Sequence, residues 1–185
     1  MVAVMINKLK DVGVSVDMLK KYIDPIVKKG NVDFTDVDVT TPEGYNVYRD
    51  VVNRFITKRT NNPTITGDML ASIARDTYQL YGKYIPPELA LAQIALEGGL
   101  ENNPNKLPII TKNPYNIGNT GTKKRFFPSF EDGVRAYYKL LATKYMKNGA
   151  NALSLVNDFK NIDGNRYASN TEYEKGLINI INSIT

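Results

Sequence analysis

The chain has 185 residues, of which 42% are hydrophobic, and its 24 basic and 19 acidic residues give a net charge of +5. It contains no histidine and no cysteine, which excludes a Ser-His-Asp triad, a Cys-His protease, disulfides and the usual zinc sites. Hydrolysis would therefore rest chiefly on carboxylates, and we expect neither a metal nor another cofactor. We also expect no membrane span, because no apolar run approaches about 20 residues, and no classical signal peptide.

The first 43 residues are predicted to form an N-terminal extension, separate from a domain over residues 44–185. Residues 15–29 place apolar side chains at helical spacing, and residues 32–39 alternate apolar and polar side chains as an edge strand or extended linker does. The extension is either an extra helix packed on the domain or an arm that docks it to a larger assembly.

Three helices are predicted in the first half of the domain. The first begins at Pro42, behind Thr41 as its N-cap. The second covers residues 67–81, and the third runs from Pro87 to the glycine pair at positions 98 and 99. The side chains expected to be buried in the first two helices are Tyr45, Tyr48, Val52, Phe55, Ile56, Met69, Ile73 and Leu80.

The segment after the third helix is rich in Asn, Pro, Gly and Thr and predicts a small β-lobe, with a hairpin that turns near residues 119–121. A helix follows behind Ser129, which forms a capping-box pattern with Asp132. Two more helices are predicted, around residues 153–159 and from Thr171 onwards. The predicted fold class is mainly α: a helical domain with one small β-hairpin lobe.

Glu97 is the candidate for catalysis. It ends an apolar run in the last turn of the third helix, where the helix dipole and desolvation both disfavour an ionised carboxylate. A glutamic acid that stays protonated near neutral pH can protonate the leaving oxygen of a glycosidic bond. Gly98 and Gly99 would end the helix and also let a bulky polymer approach the acid. An exposed glutamate beside an ordinary glycine cap fits the same spacing, which leaves both interpretations open.

Four segments, in order, resemble the glucosaminidase branch of the lysozyme-like superfamily. The family's Ala-Gln-x-x-x-Glu-Ser/Gly helix is matched by PPELALAQIALEGGL, at Ala92, Gln93 and Glu97. Its Asn-Leu-Phe-Gly-Ile-Lys segment is similar to NPYNIGNTG, its Phe-x-Ser helix start to RFFPSFEDGVRAYYKLL, and its closing Tyr-Ala-x-x-x-x-Tyr motif to RYASNTEYEKGLINII. The resemblance covers residues 44–185 and implies a lysozyme-like fold with Glu97 as general acid.

The resemblance also implies roles for five further residues. Tyr167 would line the cleft near the scissile bond and join Glu97 in the catalytic site. Tyr115 and Asn116 would contact sugar, and Gln93 and Tyr173 would also bind substrate. From the residues alone, Tyr167 could also pack as a core tyrosine, and Tyr115 and Asn116 could serve only as turn residues.

The chain departs from the family pattern in its second carboxylate. Many glucosaminidases of this type carry one in the β-lobe, yet residues 102–130 contain no Asp or Glu. Glu101 is the nearest candidate, because it could fold back past the glycines towards Glu97, although it could also be a solvated loop acid. Glu131, Asp132 or an acid near the C-terminus are further candidates. Without a partner, Glu97 would act alone as in lytic transglycosylases, or the substrate's N-acetyl group would assist.

The sequence therefore predicts a peptidoglycan glycosidase that cleaves β-1,4 bonds between N-acetylglucosamine and N-acetylmuramic acid. Its partners would be glycan strands and, through the N-terminal extension, other virion proteins. The alternative is a non-catalytic wall-binding or structural virion module with the same fold. We interpret the asparagine-rich chain as a phage virion or lysis protein that acts at the host cell envelope. No nucleic-acid partner is expected, because no basic stripe is interleaved with aromatics.

Overall fold

The structure is a computed structural model that describes residues 37–60, 64–146, 151–170 and 172–184. Within these ranges the chain is mainly helical, which confirms the predicted class. The α-helices are α1 (Pro42–Thr57), α2 (Gly67–Tyr81), α3 (Pro87–Leu96), α4 (Leu107–Ile110), α5 (Phe130–Leu140), α6 (Ala152–Asn157) and α7 (Glu172–Ile184). The predicted helix over residues 15–29 lies outside the described residues, and the predicted domain boundary at residue 43 stays a prediction. None of the described helices is both long and apolar enough to cross a bilayer.

Helices α1 and α2 begin where their sequences predict. The Thr41 hydroxyl accepts a hydrogen bond from the Gly44 amide at 3.1 Å, and Pro42 occupies the first turn, where no intrahelical bond is lost. Thr66 caps α2 in the same way, through the Met69 amide at 3.2 Å. The two helices pack on each other. The buried side chains of α1 are Tyr48, Val52, Phe55 and Ile56.

The buried face of α2 differs from the prediction at Leu80, which is 74% exposed. Ile73 is buried and Met69 packs against the core, as expected. The last turn of the helix, residues 78–81, is exposed throughout. Helical spacing continues to Leu80, but the helix extends beyond the core that would bury it.

Helix α3 is the central helix, because every residue from Pro87 to Ile94 is buried. A helix that is apolar on all sides must be surrounded by other elements, and α3 contacts both α1 and α7. Helix α2 packs on α5, and α6 packs on α7. Only the C-terminal end of α3 therefore reaches solvent, and this is the end that carries Glu97.

The predicted β-hairpin lobe is reduced to a single antiparallel bridge, Thr120↔Lys123, in the described segment between α3 and α5. The turn falls where the sequence predicts it, but no strands extend from it. One reason is that asparagine side chains take backbone partners that a strand ladder would use. The side-chain oxygen of Asn119 accepts a hydrogen bond from the Arg125 backbone amide at 2.6 Å. The side-chain oxygen of Asn113 accepts one from the Ile117 backbone amide in the same way.

Helix α5 begins with the predicted cap. The Ser129 hydroxyl accepts from the Asp132 amide at 3.0 Å and donates to the Asp132 carboxylate at 2.6 Å. Tyr137 and Tyr138 are buried on its inner face. The helix continues as a π-helical segment, Leu141–Tyr145, which the sequence did not indicate.

Candidate active site

Glu97 is the C-cap residue of α3, and the two glycines after it close the helix. Gly98 adopts a left-handed conformation, with φ of 76°, which favours glycine. Its amide donates to the Ala95 carbonyl at 3.3 Å, and the Gly99 amide donates to the Ile94 carbonyl at 2.9 Å. These two bonds are those of a Schellman motif. The chain therefore reverses directly after Glu97 and leaves its side chain at the open end of a buried helix.

Gly99 makes room for protein and not for substrate. A Cβ atom at this position would lie 2.1 Å from the Pro114 carbonyl oxygen, which is closer than any real contact. A Cβ atom on Gly98 would lie 3.0 Å from a carboxylate oxygen of Glu101. The glycine pair ends the helix as predicted, but the space beside Gly99 is filled by the loop that contains Pro114, so the prediction that it opens a path for a polymer does not hold there.

The loop that packs on Gly99 is built by Asn113, which is fully buried. Its side chain accepts from the Ile117 amide at 3.1 Å and donates to the Ile117 carbonyl at 2.9 Å. These bonds close a tight turn in which Asn116 takes a left-handed conformation, with φ of 52°, one that asparagine tolerates better than most residues. The turn places the Asn116 side chain where it lowers the pKa of the Glu97 carboxyl group.

Glu97 also receives a hydrogen bond from α7. The Tyr173 hydroxyl donates to Glu97 Oε1 at 2.8 Å. The same hydroxyl accepts from Gln93 Nε2 at 3.2 Å, and Gln93 Oε1 accepts from the Tyr137 hydroxyl. Gln93 lies one turn before Glu97 on the same face of α3. A chain of hydrogen bonds therefore runs from the core to the acid, through Tyr137, Gln93 and Tyr173.

The surroundings of Glu97 favour its protonated form. Burial raises the pKa of the Glu97 carboxyl group, and the hydrogen bonds from Tyr173 and Asn116 oppose this rise in part. Burial also raises the pKa of the Tyr173 hydroxyl, with smaller contributions from Tyr167 and Glu97. Tyr173 therefore remains a protonated donor. The net direction for Glu97 is the one that a general acid needs near neutral pH.

Tyr167 lies beside this hydrogen-bond chain. Its ring stacks on Phe159, with centroids 4.6 Å apart, and on Tyr173, with centroids 5.7 Å apart. Burial is the main cause that raises the pKa of the Tyr167 hydroxyl, the charge of Glu97 adds to this rise, and Gln93 opposes it. The Tyr167 ring thus packs against the Tyr173 ring, and Tyr167 is only partly buried.

Two residues predicted to bind sugar are buried instead. Tyr115 is 1% exposed, and its ring stacks on Tyr137 with centroids 3.5 Å apart. Gln93 is 0% exposed and its amide is used by the neighbouring tyrosines. Neither side chain can contact a sugar in this arrangement, because both belong to the packed core under the acid. Gln93 orients Tyr173, and Tyr115 packs against α5.

The other predicted acids are arranged differently from Glu97. Glu101 is 46% exposed, folds back against Gly98, and pairs with Lys106 Nζ at 3.4 Å. Glu131 pairs with Arg135 at 2.9 Å, and Asp132 serves the cap of α5. In the part of the chain that is described, no group of three metal-ligating side chains is suited to hold an ion.

The sequence did not identify Tyr137 as part of the site, because its spacing marks only a buried face of α5. Asn113 is the first residue of the segment NPYNIGNTG that resembles the family motif, but the sequence does not identify it as the residue that builds the turn. An asparagine directly before a proline is a sequence signal of a turn. No local signal could have paired Tyr137 with Gln93, because their contact joins two distant helices.

A half-buried carboxyl group at the end of a central helix, hydrogen-bonded by a phenol, is an arrangement suited to general acid catalysis. The family model for glucosaminidase, described as mannosyl-glycoprotein endo-β-N-acetylglucosaminidase, matches residues 71–185. The chain belongs to this family, which confirms the predicted resemblance. Membership implies a glycoside hydrolase and suggests peptidoglycan as its substrate. Searches of curated proteins and of solved structures gave no match.

Proposed function

We propose that this protein is a peptidoglycan glycosidase that cleaves β-1,4 bonds between N-acetylglucosamine and N-acetylmuramic acid, with Glu97 as its general acid. The observation that carries the proposal is the environment of Glu97: burial favours its neutral form, and Tyr173 fixes its orientation at 2.8 Å. Family membership supports the reaction class and the substrate.

The mechanism begins with the protonated Glu97 carboxyl group beside the glycosidic oxygen. As the bond between the anomeric carbon and this oxygen breaks, the proton moves to the oxygen and the leaving sugar departs as an alcohol. Glu97 then becomes ionised. The Tyr173 hydroxyl donates a hydrogen bond to it, and such a bond is stronger to a carboxylate than to a neutral acid. Asn116 also lowers the pKa of Glu97, so both residues stabilise the charge as it develops.

We assign the second carboxylate to Glu101. It lies against Gly98, the residue that follows Glu97, and its exposed carboxylate is paired with Lys106. An ionised carboxylate in this position would stabilise the positive charge that develops on the sugar or activate water. The Glu101→Gln variant should lose most of the activity.

If Glu101→Gln retains the wild-type rate, Glu97 acts alone or the N-acetyl group assists. Mass spectrometry of the released fragments then separates the routes, because anhydro ends report transglycosylation. Reducing N-acetylglucosamine ends and reducing N-acetylmuramic acid ends report the two hydrolytic specificities.

The proposal is tested by clearing of purified peptidoglycan with Glu97→Gln. Loss of a general acid lowers the rate by about 10²- to 10⁴-fold. Thermal stability should change little at a pH where Glu97 is protonated, because glutamine has the same shape and keeps an acceptor for Tyr173. Glu131→Gln on α5 is the matched control and should retain activity. The assignment fails if Glu97→Gln clears the wall as fast as the wild type.

A non-catalytic wall-binding module is the second candidate, favoured by the absence of any acid in residues 102–130. It predicts that wild type and Glu97→Gln both co-sediment with peptidoglycan and that neither releases fragments.

We further propose that the protein acts at the host cell envelope as part of a phage virion or lysis system, with residues 1–43 as a docking arm. Mass spectrometry of purified virions tests this location.

A further inference from the structure

A cavity of about 380 Å³ opens beside the end of α3. Its lining includes Arg59, Gly98, Glu101, Asn102 and Asn103. Because Gly98 directly follows the proposed acid, the cavity wall is one Cα–Cα step of about 3.8 Å from the Glu97 backbone. We refer to this feature as the Arg59 cavity. Ala95 and Gly98, which line the cavity, lie within two residues of Glu97 in the chain, so we consider the cavity as a place for a substituent of a bound glycan.

Arg59 is held in place at this cavity by Phe55. The guanidinium carbon lies 3.6 Å from the centroid of the Phe55 ring, a cation–π contact with a buried aromatic side chain of α1. Arg59 is exposed, and the limited desolvation of its guanidinium group lowers the pKa of this group, which remains charged. No carboxylate of the described residues forms an ion pair with Arg59. A cation that is positioned by an aromatic ring and open to solvent, without a counter-ion, is suited to bind an anion.

The other polar groups of the cavity do not neutralise Arg59. The charge of Glu101 is balanced by Lys106 at 3.4 Å. The side-chain oxygen of Asn102 accepts a hydrogen bond from the Thr60 hydroxyl at 2.8 Å, which orients the side-chain amide of Asn102. Arg59 therefore supplies the uncompensated charge that faces the cavity.

We propose that the Arg59 cavity is a subsite for a carboxylate on the lactyl–peptide arm of a muramic acid unit. The inference rests on the proposed function, since it takes peptidoglycan as the substrate. The sugar rings of the strand carry only neutral hydroxyl and acetamido groups, and its carboxylates all lie on these arms. A planar guanidinium group can bind such a carboxylate through two parallel hydrogen bonds. Arg59 thus makes the enzyme prefer strands that carry an anionic arm.

Three substrates separate the sources of the carboxylate. Strands with intact stem peptides carry stem carboxylates, amidase-treated strands carry the free lactyl carboxylate, and N-acetylglucosamine oligosaccharides carry none. The wild type should cleave at least one arm-bearing substrate with a higher kcat/KM than the oligosaccharides. In Arg59→Gln this ratio should fall by about tenfold, the effect of one charge-assisted interaction. Retention of the preference on amidase-treated strands identifies the lactyl group, and its loss there identifies the stem.

Arg54→Gln is the matched control, because Arg54 is an exposed arginine in the last turn of α1, which ends two residues before Arg59. It should keep the wild-type ratio. Since each ratio is measured within one variant, a change in the folded fraction cancels. An Arg59→Gln variant with the wild-type ratio overturns the subsite and leaves the glycosidase proposal intact. A wild type that cleaves none of the substrates overturns the proposed function, and the subsite with it.

Discussion

Replacing Tyr173 with phenylalanine removes one hydroxyl group and leaves the ring that stacks on Tyr167. The hydroxyl donates to Glu97 at 2.8 Å and accepts from Gln93 at 3.2 Å. Phenylalanine can do neither. The substitution therefore tests whether the hydrogen bond from α7 governs the acidity of Glu97.

The size of the effect follows from the charge of the acceptor. A hydrogen bond to a charged group contributes about 1.5–3 kcal/mol, against about 0.5–1.5 kcal/mol for a neutral pair. Tyr173 thus stabilises ionised Glu97 by about 1–1.5 kcal/mol more than the protonated form. Without this bond, proton donation should slow by about tenfold at pH values where Glu97 is protonated. The pKa of Glu97 should also rise further, because burial is then opposed only by Asn116.

The assay is the initial rate of fragment release from purified peptidoglycan over a series of pH values. A general acid must be protonated, so activity falls as the pH rises through its pKa. In Tyr173→Phe this alkaline limb should move to higher pH while the maximum rate falls. Tyr145→Phe is the control. The ring centroid of Tyr145 lies 5.1 Å from that of Tyr167, on which Tyr173 stacks, and Tyr145 has no hydrogen bond to Glu97. A limb that stays at the wild-type pH, or moves lower, would refute the reasoning.

Three further variants test the supporting structure. Gln93→Leu leaves the buried Tyr137 hydroxyl without its acceptor and should lower the free energy of unfolding in urea by about 1–3 kcal/mol. Because the pKa of Glu97 is higher in the folded protein than in the unfolded chain, the wild type loses stability as the pH rises from the unfolded value through the folded one. Glu97→Gln does not titrate there, so its stability relative to the wild type should increase over that interval. Gly99→Ala places a Cβ atom 2.1 Å from the Pro114 carbonyl oxygen and should lower both activity and stability, the latter by about 1–3 kcal/mol.

Each of these variants has a control or a contrary outcome. Gln79→Leu, on the exposed end of α2, should be as stable as the wild type. If Gln93→Leu is also as stable as the wild type, the hydrogen-bond chain is contradicted. If the difference in the free energy of unfolding between Glu97→Gln and the wild type does not change with pH, Glu97 is not desolvated in the folded protein. Gly82→Ala strains a left-handed turn but meets open space, so it should lower stability without lowering activity. Gly99→Ala with full activity would show that the loop tolerates displacement.

The starts of the helices could be predicted because they depend on neighbours in the chain. Thr41 and Ser129 cap their helices through amides three residues later, and Pro87 needs no partner for its missing N–H. The end of α3 is equally local, since Gly98 closes it by its own left-handed conformation. For these features a short segment contains all the interacting groups.

The errors concern features that depend on distant groups. Leu80 has helical spacing, but whether a core lies beside it depends on where the other helices end. Tyr115 is a good sugar-stacking residue by type, yet the ring of Tyr137 covers it. The β-hairpin required strand partners that asparagine side chains replaced. Neither burial nor pairing of these residues is encoded by the segment in which they stand.

At the candidate active site, the position of Glu97 at the end of an apolar helix and before a chain reversal follows from the sequence, because helix periodicity and glycine conformation act over a few residues. The groups that hold its carboxyl depend on the packing of distant segments. Tyr173 is 76 residues away and reaches it because α7 packs on α3. Asn116 reaches it because Gly99 has no side chain to keep the Pro114 loop away. The position of the acid is a local property, whereas its pKa is a property of the packed domain.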